Sequence, residues 1–364
     1  MRACFLVGWV LVLTALLSSD SATHAQKDKK PPAALADVKV VANLAYAPDG
    51  SFILLDYRTQ GQPHQSNAAL GIWDTKTGEF RIGMEKVPFG CDRIAISPDS
   101  KKVAAITLGN RSLKVWDAKT GKVLEEHTLP EWGGSIVSAP FLAFSKDGKH
   151  LYSTRERQIL EAPLGGKFRL FGEKLDVIWS PFEVAFEPES KLLVVVRNTM
   201  GRQAGDLRVY DLAKAEKPGE PQVISTTDHI QSVTFSKDGK TLAMSYLGGG
   251  TKTARFELWD VPAFKLRTTF PVDTRKDFLN YQALTFAPGG KTLAGVPLFE
   301  KPTQKQNFLD ILDTDGKFIK QVMDKNNRRI LYLAYSPDGK TLAAVLLNHT
   351  LMFIDVATGE PKMP

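Results

Sequence analysis

One four-residue turn recurs along nearly the whole chain and leaves few folds open to it. It reads Ala47-Pro48-Asp49-Gly50, Ser97-Pro98-Asp99-Ser100, Ser145-Lys146-Asp147-Gly148 and Glu187-Pro188-Glu189-Ser190. It returns as Ser236-Lys237-Asp238-Gly239, Ala287-Pro288-Gly289-Gly290 and Ser336-Pro337-Asp338-Gly339. The third positions fall at 49, 99, 147, 189, 238, 289 and 338, so successive copies lie 50, 48, 42, 49, 51 and 49 residues apart. Proline presets φ and glycine admits positive φ, which is what a tight turn needs. Self-similarity at this period marks a chain built from stacked supersecondary units.

Each copy has the same surroundings. Before the turn, a bulky apolar residue alternates with a small or polar one, as in Asn43-Leu44-Ala45-Tyr46, Arg93-Ile94-Ala95-Ile96 and Tyr332-Leu333-Ala334-Tyr335. That is the period of a strand, and the small alternate positions suit tight packing near an axis. After the turn comes a nearly continuous apolar run, such as Val103-Ala104-Ala105-Ile106, the signature of a strand covered on both faces. A third strand ends in Ile72-Trp73-Asp74, Val115-Trp116-Asp117, Val209-Tyr210-Asp211, Leu258-Trp259-Asp260, Ile311-Leu312-Asp313 or Phe353-Ile354-Asp355. The aspartate can accept backbone N–H groups of the next turn, whose glycine supplies positive φ. A more polar fourth strand follows, for example Val123-Leu124-Glu125-Glu126-His127, as expected of an outer edge.

Four such strands cannot bury their faces alone, but seven units arranged radially can. The expectation is an all-β, seven-bladed β-propeller of four-stranded antiparallel blades over residues 37–364. The Trp-Asp strand ends and Ser-Pro-Asp-Gly-Lys turns make the chain resemble the WD-repeat family, as a divergent member of exported bacterial type. The resemblance implies the propeller fold and leaves the partner open, since that family binds very many. TolB-like and lactonase-like propellers share the Pro-Asp-Gly-Lys turn. The family's Gly-His pair is missing from every unit, so its His–Ser–Trp–Asp hydrogen-bond network is expected to be absent. The third unit reads Leu160-Glu161-Ala162-Pro163 where the Trp-Asp end should be. Only Gly359 to Pro364 follow the last third strand, so Asp37-Val38-Lys39-Val40 is expected to supply the final blade's fourth strand and close the ring.

Ahead of the repeats, Met1-Arg2, the apolar run Ala3 to Leu17 and the small-residue stretch ending Thr23-His24-Ala25 read as a cleaved export signal over 1–25. Residues 26–36 read as a linker. The expected location is periplasmic or extracellular, with no membrane insertion after cleavage. Of two cysteines, only Cys91 lies outside the signal, and it reads as a small buried residue rather than a nucleophile. The net charge of +7 is spread among alternating acids and bases, without the clustered Lys/Arg and aromatics of a nucleic-acid surface.

Strand geometry places the Asp-Gly-Lys and Thr-Gly-Lys turns on one face of the disc. The opposite face carries long connections that all differ: 57–67, 130–138, 172–181, 197–206, 247–255, 271–281, 300–307 and 323–329. Binding residues concentrate on variable loops held by a rigid scaffold, and aromatics and arginines dominate interface energetics. The contact candidates are therefore Trp132, Trp179, Arg202, Arg255, Arg275, Phe278, Tyr281, Arg328 and Arg329, with Arg58 beside them.

Enzymatic signatures are missing. Gly133-Gly134-Ser135-Ile136-Val137 fails the nucleophile-elbow pattern at its last glycine. No HExxH or CxxC occurs, and Asp313-Thr314-Asp315-Gly316 belongs to the recurrent turn. The sequence favours a monomeric, non-enzymatic scaffold for a protein or peptide, with no metal, no cofactor and no catalytic residues. The alternatives are a hydrolase or lactonase acting at the central mouth, or binding of an acidic polysaccharide.

Overall fold

The computed structural model describes residue 38 and residues 40–58, 68–87, 90–107, 112–129, 141–155, 158–171, 184–198, 205–213, 221–226, 228–247, 255–271, 278–299, 308–315, 317–323 and 329–362. These form a seven-bladed β-propeller, each blade a four-stranded antiparallel sheet in sequence order. Blade 1 holds β1 (Val40–Tyr46), β2 (Phe52–Arg58), β3 (Ala68–Asp74) and β4 (Phe80–Lys86). Blade 2 holds β5 (Cys91–Ile96), β6 (Lys102–Thr107), β7 (Ser112–Asp117) and β8 (Val123–Thr128). Blade 3 holds β9 (Leu142–Phe144), β10 (His150–Arg155), β11 (Gln158–Pro163) and β12 (Arg169–Phe171). Blade 4 holds β13 (Val184–Glu187), β14 (Leu192–Asn198), β15 (Gly205–Asp211) and β16 (Gln222–Ser225). Blade 5 holds β17 (Ile230–Phe235), β18 (Thr241–Tyr246), β19 (Arg255–Asp260) and β20 (Lys265–Pro271). Blade 6 holds β21 (Phe278–Phe286), β22 (Thr292–Phe299), β23 (Phe308–Asp313) and β24 (Phe318–Met323). Blade 7 holds β25 (Ile330–Tyr335), β26 (Thr341–Leu346), β27 (Leu351–Asp355) and β28 (Pro361–Lys362).

Burial follows the sequence pattern outward from the axis. The second strands are covered on both faces: every residue of β18 is buried, and so are Leu342–Leu346 of β26. The fourth strands face solvent, with Val123, Leu124 and Val223 exposed among polar neighbours. The core lies between blades. One cluster joins Phe52, Leu54, Leu70 and Ile72 of blade 1 to Val103, Ala105 and Trp116 of blade 2. Trp73 and Trp116, at third-strand ends, are wholly buried, and their indole N–H groups have no hydrogen-bond partner among the described residues. Trp73 and Trp116 therefore act here through apolar burial. Even without that pair, β11 keeps its place as a third strand between β10 and β12.

The recurrent turns are closed hydrogen-bond circuits. In blades 2, 3, 5 and 7 a serine hydroxyl donates to the turn aspartate: Ser97 to Asp99 (2.6 Å), Ser145 to Asp147 (2.5 Å), Ser236 to Asp238 (2.6 Å) and Ser336 to Asp338 (2.6 Å). The same hydroxyl accepts the N–H five residues on, from Lys102, His150, Thr241 and Thr341. Blade 4 makes the circuit with Glu187, which accepts from Glu189 N and Ser190 N. The third-strand aspartates behave as the sequence predicts: Asp74, Asp117 and Asp355 each accept two N–H groups of the following turn, and Gly78, Gly121 and Gly359 have positive φ.

Ring closure differs from the expectation in one respect. The last blade's fourth strand is its own β28, pairing Phe353 with Lys362 and Ile354 with Pro361, and residues before β1 do not supply it. Val40 instead opens β1, opposite Arg58. The physical reason is that the stretch is taken up in the core between the last and first blades: Val38 and Val41 are buried in one cluster with Ala343, Val345 and Phe353 of the last blade. Val41 N also donates to His349 O at 2.6 Å. On the turn face, Gly50 meets Pro337 of blade 7 just as Gly148 meets Pro98 and Gly339 meets Pro288. The seventh join thus has the same stacking of turns as the others.

Candidate functional site

The loop face is assembled from strand ends, and a shared irregularity sets its geometry. In five first strands the pairing skips one residue at the same place: after Val41, Cys91, Ile230, Tyr281 and Ile330. Such a bulge bends the strand and re-aims the side chains beyond it. The next paired residues are Asn43, Arg93, Ser232, Ala283 and Tyr332, on strands that line the axis. Four of the five are polar or small. Tyr332 is 55% exposed.

Tyr332 is not alone. Leu347, in the loop joining β26 to β27, is equally exposed, and its N–H donates to Arg329 O at 2.7 Å. Of the large exposed apolar side chains among the described residues, these two lie outside the fourth strands. Arg329 is partly buried, and desolvation lowers its pKa from the usual arginine value. An arginine, an aromatic and an aliphatic residue thus gather at the loop end of blade 7.

The other sequence candidates fare unequally. Trp132, Trp179, Arg202, Arg275 and Arg328 lie outside the described residues, as do the side chains of Arg58 and Phe278; the backbone of Phe278 opens β21. Tyr281 corrects the expectation of an exposed aromatic: it is 1% exposed. Its ring lies against Gly295, where a Cβ would come within 2.6 Å, and its hydroxyl donates to buried Asp310 at 2.8 Å. Arg255 is engaged within blade 5. Its Nε donates to Glu257 at 2.7 Å, it pairs with Asp228, and it stacks 3.9 Å from the Tyr246 ring centroid. Tyr246 donates to the same Glu257 at 2.7 Å, and Trp259 Nε1 does so at 3.0 Å. Burial, followed by the Glu257 charge, pushes the Tyr246 phenol pKa far up. This group is a charge-and-aromatic clasp that closes the blade's upper end.

Cys91 is buried, with its N–H donating to Asp56 Oδ2 at 3.0 Å and its carbonyl accepting from Asn43 at 2.9 Å. Ser245, at the position of blade 5 that corresponds to Asp56, donates to Tyr281 O of blade 6 at 2.7 Å. These are polar latches between neighbouring blades. No group of three or more metal-binding side chains gathers among the described residues.

Similarity to solved structures defines the class as a seven-bladed β-propeller. A chain of Kuenenia stuttgartiensis hydrazine synthase is 17% identical with a TM-score of 0.65, covering 93% of this chain and 99% of that one. The β-propeller domain of Cps50 (Swd1) from Myceliophteria thermophila is 12% identical with a TM-score of 0.66, covering 87% of this chain and 97% of that domain. At such identities the likeness concerns the fold alone. No protein-family model and no curated protein sequence matches the chain.

Proposed function

We propose that the chain is a binding scaffold that holds a protein or peptide on its loop face. The observation that carries this reading is the exposure of Tyr332 and Leu347 at the loop end of blade 7, where Leu347 N also donates to Arg329 O. These residue types anchor interfaces, and they stand on the rim of a rigid ring where a partner can desolvate them. The Trp-Asp strand ends and Ser-Pro-Asp-Gly-Lys turns favour a divergent WD-like propeller. The apolar run Ala3 to Leu17 favours export from a bacterial cell, and the scaffold is expected to work outside the cytoplasm.

The test is affinity capture from an envelope extract with wild type and two matched variants, Tyr332→Ala and Leu347→Asp. A partner recovered by the wild type should drop at least tenfold with either variant while the melting temperatures stay together. Undiminished recovery by both variants would remove the loop-face assignment.

A further inference from the structure

At the join between blades 7 and 1, on the turn face, the structure holds a cavity of about 380 Å³. This is within the size range of small-molecule sites. At three other joins, the turn after a third strand is held by the fourth strand of the blade before it. Glu125 of blade 2 accepts from Gly165 N at 2.8 Å. Lys320 of blade 6 donates to Val356 O and Ala357 O, both at 2.6 Å. At Gly121 an added Cβ would come within 2.8 Å of Gly83 O. At the seventh join the corresponding elements, Thr75-Lys76 and Lys362, instead stand as walls of an open space.

The chemistry of those walls is mixed in a specific way. Ile53, Phe353 and Pro337 give an apolar side. Lys76 and Lys362 bring two positive charges, and Asp49 and Asp338 bring two negative ones. Asp338 engages Oδ1 with its own turn, accepting from Ser336 Oγ and Lys340 N, while Oδ2 accepts no hydrogen bond from a described residue. Tyr46, the last residue of β1, stands where Ile96, Phe144, Phe235 and Phe286 end their first strands. Tyr46 lines the cavity, and its hydroxyl makes no hydrogen bond to a described residue. Desolvation, reinforced by the Asp338 charge, pushes that phenol pKa well up, so it is a neutral donor at physiological pH.

We propose that this seam binds a small zwitterion with an apolar side chain, of amino-acid or dipeptide size. The carboxylate sits between Lys76 and Lys362, the ammonium at Asp338 and Asp49, and the side chain against Ile53 and Phe353. A purely anionic ligand would face the two carboxylates and a purely cationic one the two lysines, so opposite charges on one molecule match the site best. The cavity lies on the face opposite Tyr332 and Leu347, so the inference does not rest on the scaffold reading.

The test is calorimetric titration of the full chain with leucyl-leucine, and with N-acetyl-leucine amide as a probe lacking both charges. Wild type should bind leucyl-leucine saturably at one site. The blocked probe, and the double variant Lys76→Glu/Lys362→Glu, should bind at least tenfold more weakly, with Tyr46→Phe falling between. Lys76 is exposed, and the part-exposed ion pair of Lys362 with Asp355 at 3.8 Å contributes little to stability, so the double variant should melt within a few degrees of the wild type. The inference is overturned if wild type shows no saturable binding, if the blocked probe binds as well, or if the double variant binds unchanged.

Discussion

On the turn face, Asp99, Asp147, Asp238 and Asp338 each take a hydroxyl and a backbone N–H from their own turn. At the loop end of blade 7, Tyr332 and Leu347 stand exposed beside Arg329. The two ends of the ring rest on the same strands and differ in what their side chains are engaged with. Side chains engaged with their own backbone hold the scaffold together and have little left for a ligand, apart from the seam between blades 7 and 1, where Asp338 engages only one carboxylate oxygen. Side chains not needed for a turn can vary without cost to the ring.

The largest expected effect breaks what both ends depend on. Trp116 is wholly buried at the join of blades 1 and 2, so Trp116→Ala should cost about 3–5 kcal/mol, read from the urea midpoint. A cost near zero would mean the third-strand ends do not carry the core. Next is overpacking: a Cβ at Gly295 would come 2.6 Å from the Tyr281 ring, so Gly295→Ala should cost about 1–3 kcal/mol. Ser336→Ala removes a donor to Asp338 and leaves the Thr341 N–H without its acceptor, costing about 1–2 kcal/mol. Replacing exposed Leu347 by Asp should change stability by less than about 0.5 kcal/mol. That contrast between the last two sharpens the division between the ends.

The pH profile tests the turn face as a whole. The pKa values of Asp99, Asp147, Asp238 and Asp338 are lowered first by the serine hydroxyls, and those of Asp74 and Asp355 by turn N–H groups. A carboxylate whose pKa is lower folded than unfolded stabilises the fold above its unfolded value, about 3.9, and that contribution disappears as pH falls through the folded value. Stability from these groups should be level from pH 7 to about 5 and fall below about 4. Each contribution is small at so exposed a site. In a variant with all four serines replaced by alanine, the acid limb should be shallower.

Much of the ring was legible because each blade repeats the same physical demand. Period-two alternation, the Pro-Asp-Gly turns and the aspartates after third strands all act within a few residues of sequence, and each is found where expected. Closure was not legible. Asp37–Val40 and Pro361–Lys362 are both short, and only the packing of Val38 and Val41 against Phe353 decides that the latter forms the edge. Nor could the sequence separate Tyr281 from Tyr332: both precede an apolar strand core, yet one fills the space left by Gly295 and the other is exposed. At its position the seven units carry Asn43, Arg93, Phe141, Glu183, Ser232, Ala283 and Tyr332, so the sequence alone does not single Tyr332 out. The seam cavity left no local mark, because its walls come from the first and last blades, far apart in sequence.

The most direct test of the division between the two ends is hydrogen exchange on the chain with its captured partner bound. Exchange should slow in peptides spanning 329–332 and 346–350 and remain unchanged across the turns at 97–102, 145–150 and 236–241. Slowing confined to those turns, with 329–332 and 346–350 unaffected, would contradict the account.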